Sequence, residues 1–314
     1  MRLHRLRGAP EPRLARALAE FEGGFSYPLG PGRSFRIEHG PDYTRFYRSL
    51  GPALCSVAEK GGRVAGVLCG ARRRLLAPSG RVEDCSYAGD LKIAPEARGG
   101  FALLRLGRAV MAWLQIGARP CYSVVMDGTG VLPPAYTGRA GLPAFEKAGR
   151  VVFWRLKAPR RPRSAGTQPS AGVRDGEACF RRLIAGCFVP VGGDPRLRSS
   201  IPPEWLVLSD GSACGRLEDT RRAKRLIARG GEIVSAHLAR FTYAAPASGA
   251  RLLRGALARA AELGFPALFV PVEPRKAPAL AEALGNPDRT EAAATIYANG
   301  LNSGSSWNIS SSEV

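Results

Sequence analysis

A basic, glycine-containing turn between a predicted strand and a predicted helix is the segment of this chain best suited to bind a charged ligand. The strand stops before Pro95, the turn contains Arg98, Gly99 and Gly100, and an apolar helical pattern begins at Phe101. The first N–H groups of a helix lack partners within the helix, the helix dipole adds partial positive charge, and glycine lets an anion approach the main chain. The turn therefore predicts a site for a phosphate or pyrophosphate group. A tight turn that binds no ligand is the alternative.

Two common phosphate-binding patterns do not occur here: no Gly-x-x-x-x-Gly-Lys-Ser/Thr run exists, and no Gly-x-Gly-x-x-Gly follows a predicted strand. The segment instead resembles the acyl-CoA loop of the GNAT N-acyltransferase superfamily, since Leu91, Ile93, Pro95 and Arg98 lie at the spacing of that motif. Phe101 stands where the motif has a glycine, so the loop is one residue shorter. It still leaves the main-chain amides of residues 99–102 to face a ligand.

The elements around the loop follow the order that a GNAT domain requires. Residues 53–59 and 63–71 form β-rich runs separated by Lys60-Gly61-Gly62, which predicts a hairpin. Apolar residues at three- and four-residue spacing predict a helix over 101–117. The remaining predicted elements are a strand at 81–93, a strand at 121–126, a closing helix at 141–149 and a strand at 151–156. The resemblance implies a layered α/β fold, with a mixed, mostly antiparallel twisted sheet flanked by helices.

The length of the chain favours more than one domain. Residues 158–174 are rich in proline, arginine, serine and glycine and have no apolar periodicity, which predicts a linker. Beyond it, the order strand, helix, strand, helix, strand over 232–298 matches the second half of the first domain. We therefore expect tandem GNAT-like domains at 1–157 and 175–301, the second without an acyl-CoA loop. A polar, serine-rich tail at 302–314 is expected to be disordered.

The chain is strongly basic, with 46 Lys and Arg against 26 Asp and Glu and a formal net charge of +20. A solvated surface is one interpretation of this charge. Docking of an acidic acyl carrier protein, of the 3′-phosphate of CoA or of an acidic peptide is another. No recognition-helix or RNA-binding motif accompanies the charge, so nucleic acid is not the expected partner. Three clusters carry much of the charge, at 72–74, 160–163 and 221–225. In the third, helical spacing would place Glu218 beside Arg222.

Cysteine and histidine usage argues against a metal site. The seven cysteines occur singly, no Cys-x-x-Cys pair exists, and His4, His39 and His237 are far apart in the sequence. The cysteines lie mostly in apolar runs, which is typical of buried thiols. An odd number of cysteines and the absence of a secretory pattern favour a reducing, cytoplasmic location. No segment is long and apolar enough to predict a membrane span.

The resemblance implies direct transfer of an acyl group from acetyl-CoA or a longer acyl-CoA to an amine. In that family, pantetheine lies in a gap between two splayed strands. If this chain binds CoA as that family does, the main chain of Leu91, Lys92 and Ile93 would hold the pantetheine. The pyrophosphate would lie on the loop, on the residues Arg98, Gly99, Gly100, Phe101 and Ala102.

The general base and acid are less clear from the sequence. Alternation along the strand at 81–93 places Tyr87 on one face and Asp90 on the other, so a β-bulge would be needed to turn Asp90 towards Tyr87. Asp127, just beyond the strand at 121–126, is a second candidate for the base. The family often has a tyrosine acid in the closing helix, where this chain has Phe145, and Tyr136 in the preceding loop is the substitute.

The sequence therefore supports an N-acyltransferase with acetyl as the default acyl group. A fatty-acyl transferase that uses a long-chain acyl-CoA or an acyl carrier protein is the second hypothesis, and a non-catalytic GNAT-like binding module is the third. The acceptor is an amine, on a small molecule or on a peptide, and acceptor selectivity depends on loops whose sequence does not reveal it.

Overall fold

The computed structural model describes residues 1–29, 32–159 and 173–314. Within these ranges the chain forms short and long strands that alternate with six α-helices. The helices are α1 (Pro12–Gly23), α2 (Arg45–Arg48), α3 (Ala102–Leu114), α4 (Val173–Leu183), α5 (Pro246–Glu262) and α6 (Ala277–Leu284). The strands of the first half are β1 (Arg2–Leu6), β2 (Tyr27–Pro28), β3 (Ser34–Glu38), β4 (Ala53–Lys60), β5 (Arg63–Leu76), β6 (Val82–Ile93), β7 (Cys121–Met126) and β8 (Glu146–Lys157). Those of the second half are β9 (Cys187–Val191), β10 (Glu204–Val207), β11 (Ala213–Glu218), β12 (Arg225–Ala228), β13 (Gly231–Glu232), β14 (Ala236–Tyr243), β15 (Ala267–Val272), β16 (Arg289–Asn299) and β17 (Ser306–Trp307).

The predicted hairpin and the helix after the loop are both present in the first half. Gly61 and Gly62 have positive φ angles of 58° and 79° and form the turn between the antiparallel strands β4 and β5. Helix α3 packs on these strands through Leu106, Val110 and Leu114, which are fully buried. It ends at Gln115, in the left-handed conformation, two residues before the predicted Gly117.

The two halves share one continuous sheet, in the order β1-β4-β5-β6-β7-β16-β8-β15-β14-β11-β10. Strand β16 of the second half lies between β7 and β8 of the first, antiparallel to both. The mixed, mostly antiparallel sheet agrees with the expected fold class. The expectation that each half has a sheet of its own is not met, because the closing strands of the halves are interleaved. Most of the expected linker, residues 160–172, lies outside the described residues.

A second, smaller sheet also combines the two halves, in the order β13-β12-β3-β2. Strand β12 pairs with β3 across almost 190 residues of sequence, with Leu226 opposite Ile37 and Arg225 opposite Glu38. The cluster at 221–225, predicted as one side of a helix, is instead a turn that leads into β12. Glu218 pairs with Arg198 and Arg216 rather than with Arg222.

The C-terminal segment is packed, which corrects the expected disorder of 302–314. Strand β17 pairs in parallel with β9, and Trp307, Ile309 and Glu313 are buried. Glu313 accepts from Arg73 and Arg198 at 3.1 and 3.4 Å. The serine-rich composition was misleading because buried main-chain and arginine groups supply the partners that water would give to a disordered tail.

The closing helix predicted at 141–149 is also wrong. Residues 141–145 are irregular, and Glu146 already belongs to β8, so the strand is longer than the predicted 151–156. All seven cysteines are free and buried, as their apolar surroundings indicated. No helix in the described parts of the chain has the length and apolarity that crossing a bilayer requires.

Candidate active site

Strands β6 and β7 are parallel neighbours that separate almost at once. Their pairing is limited to Ser86 with Cys121 and Tyr87 with Tyr122. Beyond Tyr87, β6 continues to Ile93 while still paired with β5 on its other side. The edge of β6 that faces the gap, which includes Leu91, Lys92 and Ile93, therefore has main-chain groups free to bind an extended ligand.

A β-bulge interrupts β6 at the start of this gap. The register with β5 shifts between Val67 and Cys69, which pair with Lys92 and Gly89, so Asp90 and Leu91 together oppose one residue. Asp90 has a φ of 58°, which is unusual for a residue other than glycine. The bulge turns Asp90 towards the same cavity as Tyr87, and this is the rearrangement that simple alternation along the strand could not provide.

Asp90 belongs to a buried network of charged and aromatic side chains. Lys92 Nζ lies 2.6 Å from Asp90 Oδ1 and 3.1 Å from Glu22 Oε1, and all three side chains are at most 5% exposed. The hydroxyl groups of Tyr43 and Tyr27 donate to the Asp90 carboxylate. His39 Nδ1 lies 2.6 Å from the same oxygen of Glu22. The network fixes Asp90 rigidly beside the gap.

This network controls the proton affinity of Asp90. Burial alone would raise its pKa, but the charge of Lys92 and the hydrogen bonds from Lys92 and Tyr43 lower the pKa to about 2. The same contacts raise the pKa of Lys92 above its ordinary value, against the effect of burial. A carboxylate this acidic is ionised at neutral pH and is a weak general base. The low pKa thus argues against Asp90 as the general base.

Three potential metal ligands meet in this network. One oxygen of Glu22, one of Asp90 and a ring nitrogen of His39 lie within 4.8 Å of one another. The ammonium group of Lys92 already contacts both carboxylates, so positive charge is present between them. A metal ion at these three ligands would have to displace Lys92 from its contacts with both carboxylates.

The turn in which the sequence predicts an anion site leads from β6 to the N-terminus of α3, and the Gly100 amide in it donates to Ala97 O at 3.3 Å. Gly99 has a φ of 76°, and α3 begins at Ala102 with no side chain capping its N-terminus. The first main-chain hydrogen bond of the helix runs from Arg105 N to Phe101 O at 3.0 Å, so the amides just before Arg105 lack intrahelical partners. Arg98, Gly99, Gly100 and Phe101 are exposed at this end of the helix, while Ala102 is buried.

A cavity of about 280 Å³ opens at the gap between β6 and β7. One end of the cavity, which we call the helix end, lies between α3, β7 and the loop at 129–145, and its walls are mostly apolar. Residues of this helix end include Leu103, Val110, Met111, Val125 and Phe145. The other end lies between the small sheet and the β8, β15 and β16 region of the large sheet, and we call it the slot. Tyr87, Asp90 and Leu91 line the cavity at the bulge.

Two titratable side chains of the second half, Lys224 and His237, also line the cavity. Neither was predicted from the sequence as a site residue. Lys224 is buried, and its Nζ donates to the main-chain oxygen of Val314 and lies 4.3 Å from the centre of the Phe46 ring. Burial lowers the pKa of His237 to about 3, so its ring is neutral at neutral pH. The signal for Lys224 was slight: it is the lysine of an arginine cluster and follows the apolar Ala223.

Of the other predicted candidates, Tyr87 and Tyr136 line the cavity, and Asp127 does not. Tyr136 is half buried and lines the cavity, and burial raises its pKa to about 12. Burial, with a smaller effect of Asp90, also raises the pKa of Tyr87. Asp127 is not among the residues that line the cavity. It accepts from Thr295 Oγ1 at 2.8 Å and forms an ion pair with Arg150.

The arginine clusters are largely occupied by contacts within the chain. Arg73 is buried against Glu313, and Arg72 stacks 4.7 Å from the Trp113 ring. Arg221 pairs with Glu232, and Arg225 pairs with Glu38. Residues 160–163 lie outside the described residues. In the two clusters that are described, Arg74 and Arg222 are exposed without an ion pair, whereas the remaining charged side chains contact groups within the chain.

Comparison with known proteins gives relatives in structure and none in sequence. The sequence matches no protein-family model and no curated protein. A crystal structure of Saccharomyces cerevisiae N-myristoyltransferase with bound myristoyl-CoA superposes with a TM-score of 0.62 at 9% identity, over 97% of this chain and 86% of that one. Another structure of the yeast enzyme, with myristoyl-CoA and inhibitors, has a TM-score of 0.65 at 8% identity, over 99% and 83%.

A GCN5-related N-acetyltransferase from Anabaena variabilis superposes with a TM-score of 0.52 at 12% identity, over 95% of this chain and 72% of that one. Nearly the whole chain is covered in each case, including both halves. The chain therefore has the fold shared by N-myristoyltransferase and a GCN5-related N-acetyltransferase, which is the fold that its resemblance to the GNAT superfamily implies.

Proposed function

We propose that the protein is an acyl-CoA-dependent N-acyltransferase. The observation that carries this proposal is the apolar cavity that opens at the splayed strands β6 and β7, beside a bulge and near an uncapped helix N-terminus. These are the features needed to hold an acyl chain, a pantetheine arm and a pyrophosphate in one line. A structural neighbour with the same fold was solved with myristoyl-CoA bound, which supports the same ligand class here.

The proposed reaction uses main-chain groups for most of its contacts. The pyrophosphate binds the free amides at the start of α3, and pantetheine pairs with the free edge of β6 at Leu91–Ile93. The acceptor nitrogen attacks the thioester carbonyl carbon, a C–N bond forms, and the C–S bond breaks with its electrons leaving on the CoA sulfur. A main-chain N–H next to the bulge donates to the carbonyl oxygen as negative charge develops. Tyr136 lines the cavity and is protonated at neutral pH, and it is the proposed donor to the leaving sulfur.

The shape of the helix end favours a fatty acyl group over acetyl. An acetyl group needs room for one methyl, whereas apolar side chains from a helix, a strand and a loop surround this end of the cavity. Each buried methylene contributes about 0.8 kcal/mol. The longer donor, which the sequence offered as the second hypothesis, is therefore the one that the cavity supports, and a carrier-protein donor has no comparable support.

Binding of acyl-CoA should strengthen with chain length. Calorimetry with acetyl-, octanoyl- and palmitoyl-CoA is expected to show affinity for octanoyl-CoA at least tenfold above that for acetyl-CoA. Met111→Trp, which fills the helix end, should remove this gain. Ala112→Trp is the matched control, because Ala112 is the next residue of α3 and is exposed. Equal affinity for all three donors would favour an acetyltransferase, and no binding of any would refute the proposed function.

Lys224 is the proposed general base. Burial lowers its pKa to about 7, with Lys92 and Arg198 acting in the same direction and Asp90 and Glu22 opposing them. With its pKa lowered this far, Lys224 is partly neutral near pH 7, and its neutral form can accept the proton of the acceptor amine. Its Nζ lies in the cavity, in contact with the Phe46 ring and a main-chain oxygen.

The rate should follow the ionisation of Lys224. Since the neutral amine of Lys224 is the active form of the base, kcat is expected to rise with pH and to reach half of its maximum near pH 7. Lys224→Met should lower kcat by about 100-fold or more and remove this part of the profile. Lys60→Met, at an exposed position, is the control. A profile that keeps its rise in Lys224→Met would assign the base to another group. Tight acyl-CoA binding without turnover of any amine would indicate a binding module instead.

A further inference from the structure

The slot is bounded on one side by an apolar face of the small sheet. Phe35 and Ile37 alternate along β3 and so share a face, and Leu226 pairs with Ile37 from β12. Tyr27 pairs with Phe35 from β2, and their ring centres are 5.6 Å apart. The opposite face of the same sheet carries charged side chains, with Arg225 ion-paired to Glu38. Only the apolar face lines the cavity.

The other boundary is formed by the large sheet. Phe153 of β8 pairs with Ala292 of β16, so both lie on one face, and both line the cavity. Phe269 of β15 lines it too and stacks on His237 with ring centres 5.2 Å apart. The slot thus lies between apolar, largely aromatic surfaces of two sheets, and it ends at the polar groups beside the bulge.

A polycationic acceptor would require unpaired carboxylates in the slot, one for each additional positive charge. Among the described side chains that line the cavity, that of Asp90 is the only carboxylate, and it is already paired with Lys92. Lys224 adds a basic group at the inner end. A second positive charge on the acceptor would therefore meet apolar side chains and no unpaired side-chain carboxylate.

We propose that the acceptor is a monoamine with an aromatic or branched apolar group within a few bonds of its nitrogen. The amine lies at the inner end of the slot, next to the thioester, and the apolar group lies between the faces of the two sheets. Polyamines, aminoglycosides and lysine side chains carry a second charge that would be buried without a partner against the apolar slot, and acceptors without an apolar group forgo the contacts of the slot. This inference rests on the proposed function and names its substrate class.

The test uses octanoyl-CoA as the donor and three amino-acid amides that share the same α-amine. L-Phenylalaninamide supplies an aromatic group, glycinamide has no side chain, and L-lysinamide adds a second charge. We expect kcat/KM for phenylalaninamide to exceed that of both others by at least about tenfold. Equal or better use of glycinamide or lysinamide would overturn the inference. So would the failure of phenylalaninamide to react with, or to bind, the protein loaded with octanoyl-CoA.

Leu226 gives the matching set of variants, since its half-buried side chain can be changed at little cost to the fold. Leu226→Asp should lower kcat/KM for phenylalaninamide by about tenfold or more and raise that for lysinamide. Leu226→Asn, which is neutral and similar in size to aspartate, should lower kcat/KM for phenylalaninamide without raising that for lysinamide. Arg225→Gln changes the opposite face and should alter neither. Unchanged selectivity in Leu226→Asp would refute the slot as the acceptor site. Calorimetry with octanoyl-CoA tests the proposed function separately, so a failure of this inference can be distinguished from a failure of the proposed function.

Discussion

Gly100→Glu is expected to reduce the affinity of the protein for acyl-CoA by at least about 100-fold. The new carboxylate lies at the N-terminus of α3, where the unpaired amides and the helix dipole would otherwise bind the pyrophosphate, and like charges at this distance repel strongly. A Cβ at Gly100 would meet only Ala97 O, at 3.3 Å, and φ is not positive there, so the fold should be retained. Calorimetry with octanoyl-CoA measures the effect.

Gly230→Glu is the matched control for this variant. Gly230 is exposed, a Cβ there has no neighbour within 4 Å, and its φ is not positive. The substitution makes the same change in net charge far from α3 in the sequence, so it should leave the affinity unchanged. If Gly100→Glu bound octanoyl-CoA as tightly as the wild type, the loop would not be the pyrophosphate site.

Local elements of this fold could be predicted because local chemistry dictates them. The glycine turn after β4, the apolar stripe of α3 and the uncapped start of that helix each depend on residues close together in sequence. The order of elements after residue 232 was readable for the same reason. The closing helix at 141–149 failed because Gly141 and Pro143 favour irregular backbone there and the strand β8 starts earlier.

The pairing of distant strands was beyond reach of the sequence. Residues 289–299 are recognisable as a strand, but nothing local specifies that β16 lies between β7 and β8. The small side chains Ala292 and Ala294 suit a central strand, where Ala292 pairs with Phe153 of β8 and Ala294 pairs with Met126 of β7. The slot follows from the same long-range pairing, since β3 and β12 meet only in the folded chain.

The candidate site was predictable in part for a related reason. The loop and the strand before it could be found from their motif, and Asp90 was a candidate conditional on a bulge that the structure contains. Lys224 and His237 were missed because their role depends on burial beside residues of the first half. A charged residue in a basic cluster is usually solvated, and only the three-dimensional structure distinguishes Lys224 from its exposed neighbours.

Lys92→Met is expected to destabilise the protein by about 3–5 kcal/mol at pH 7. Methionine is similar in length to lysine, so packing changes little, but the carboxylates of Glu22 and Asp90 lose the cation that both contact in the interior. Lys157→Met should change stability by less than about 0.5 kcal/mol, because Lys157 and its partner Asp288 are exposed. Urea unfolding followed by circular dichroism measures both variants.

The pH dependence of this loss distinguishes the buried network from a simple packing defect. In the wild type, the lowered pKa of Asp90 contributes stability that is present above its ordinary value of 3.8 and is lost as the pH falls towards 2. In Lys92→Met, burial without the cation should raise the pKa of Asp90, so stability falls as the pH rises. The difference in the free energy of unfolding between the wild type and Lys92→Met should therefore increase from pH 4 to pH 7. Adding Asp90→Asn to Lys92→Met should recover part of the loss by removing a buried charge. A difference that stays constant with pH would mean that Lys92 contributes through packing alone.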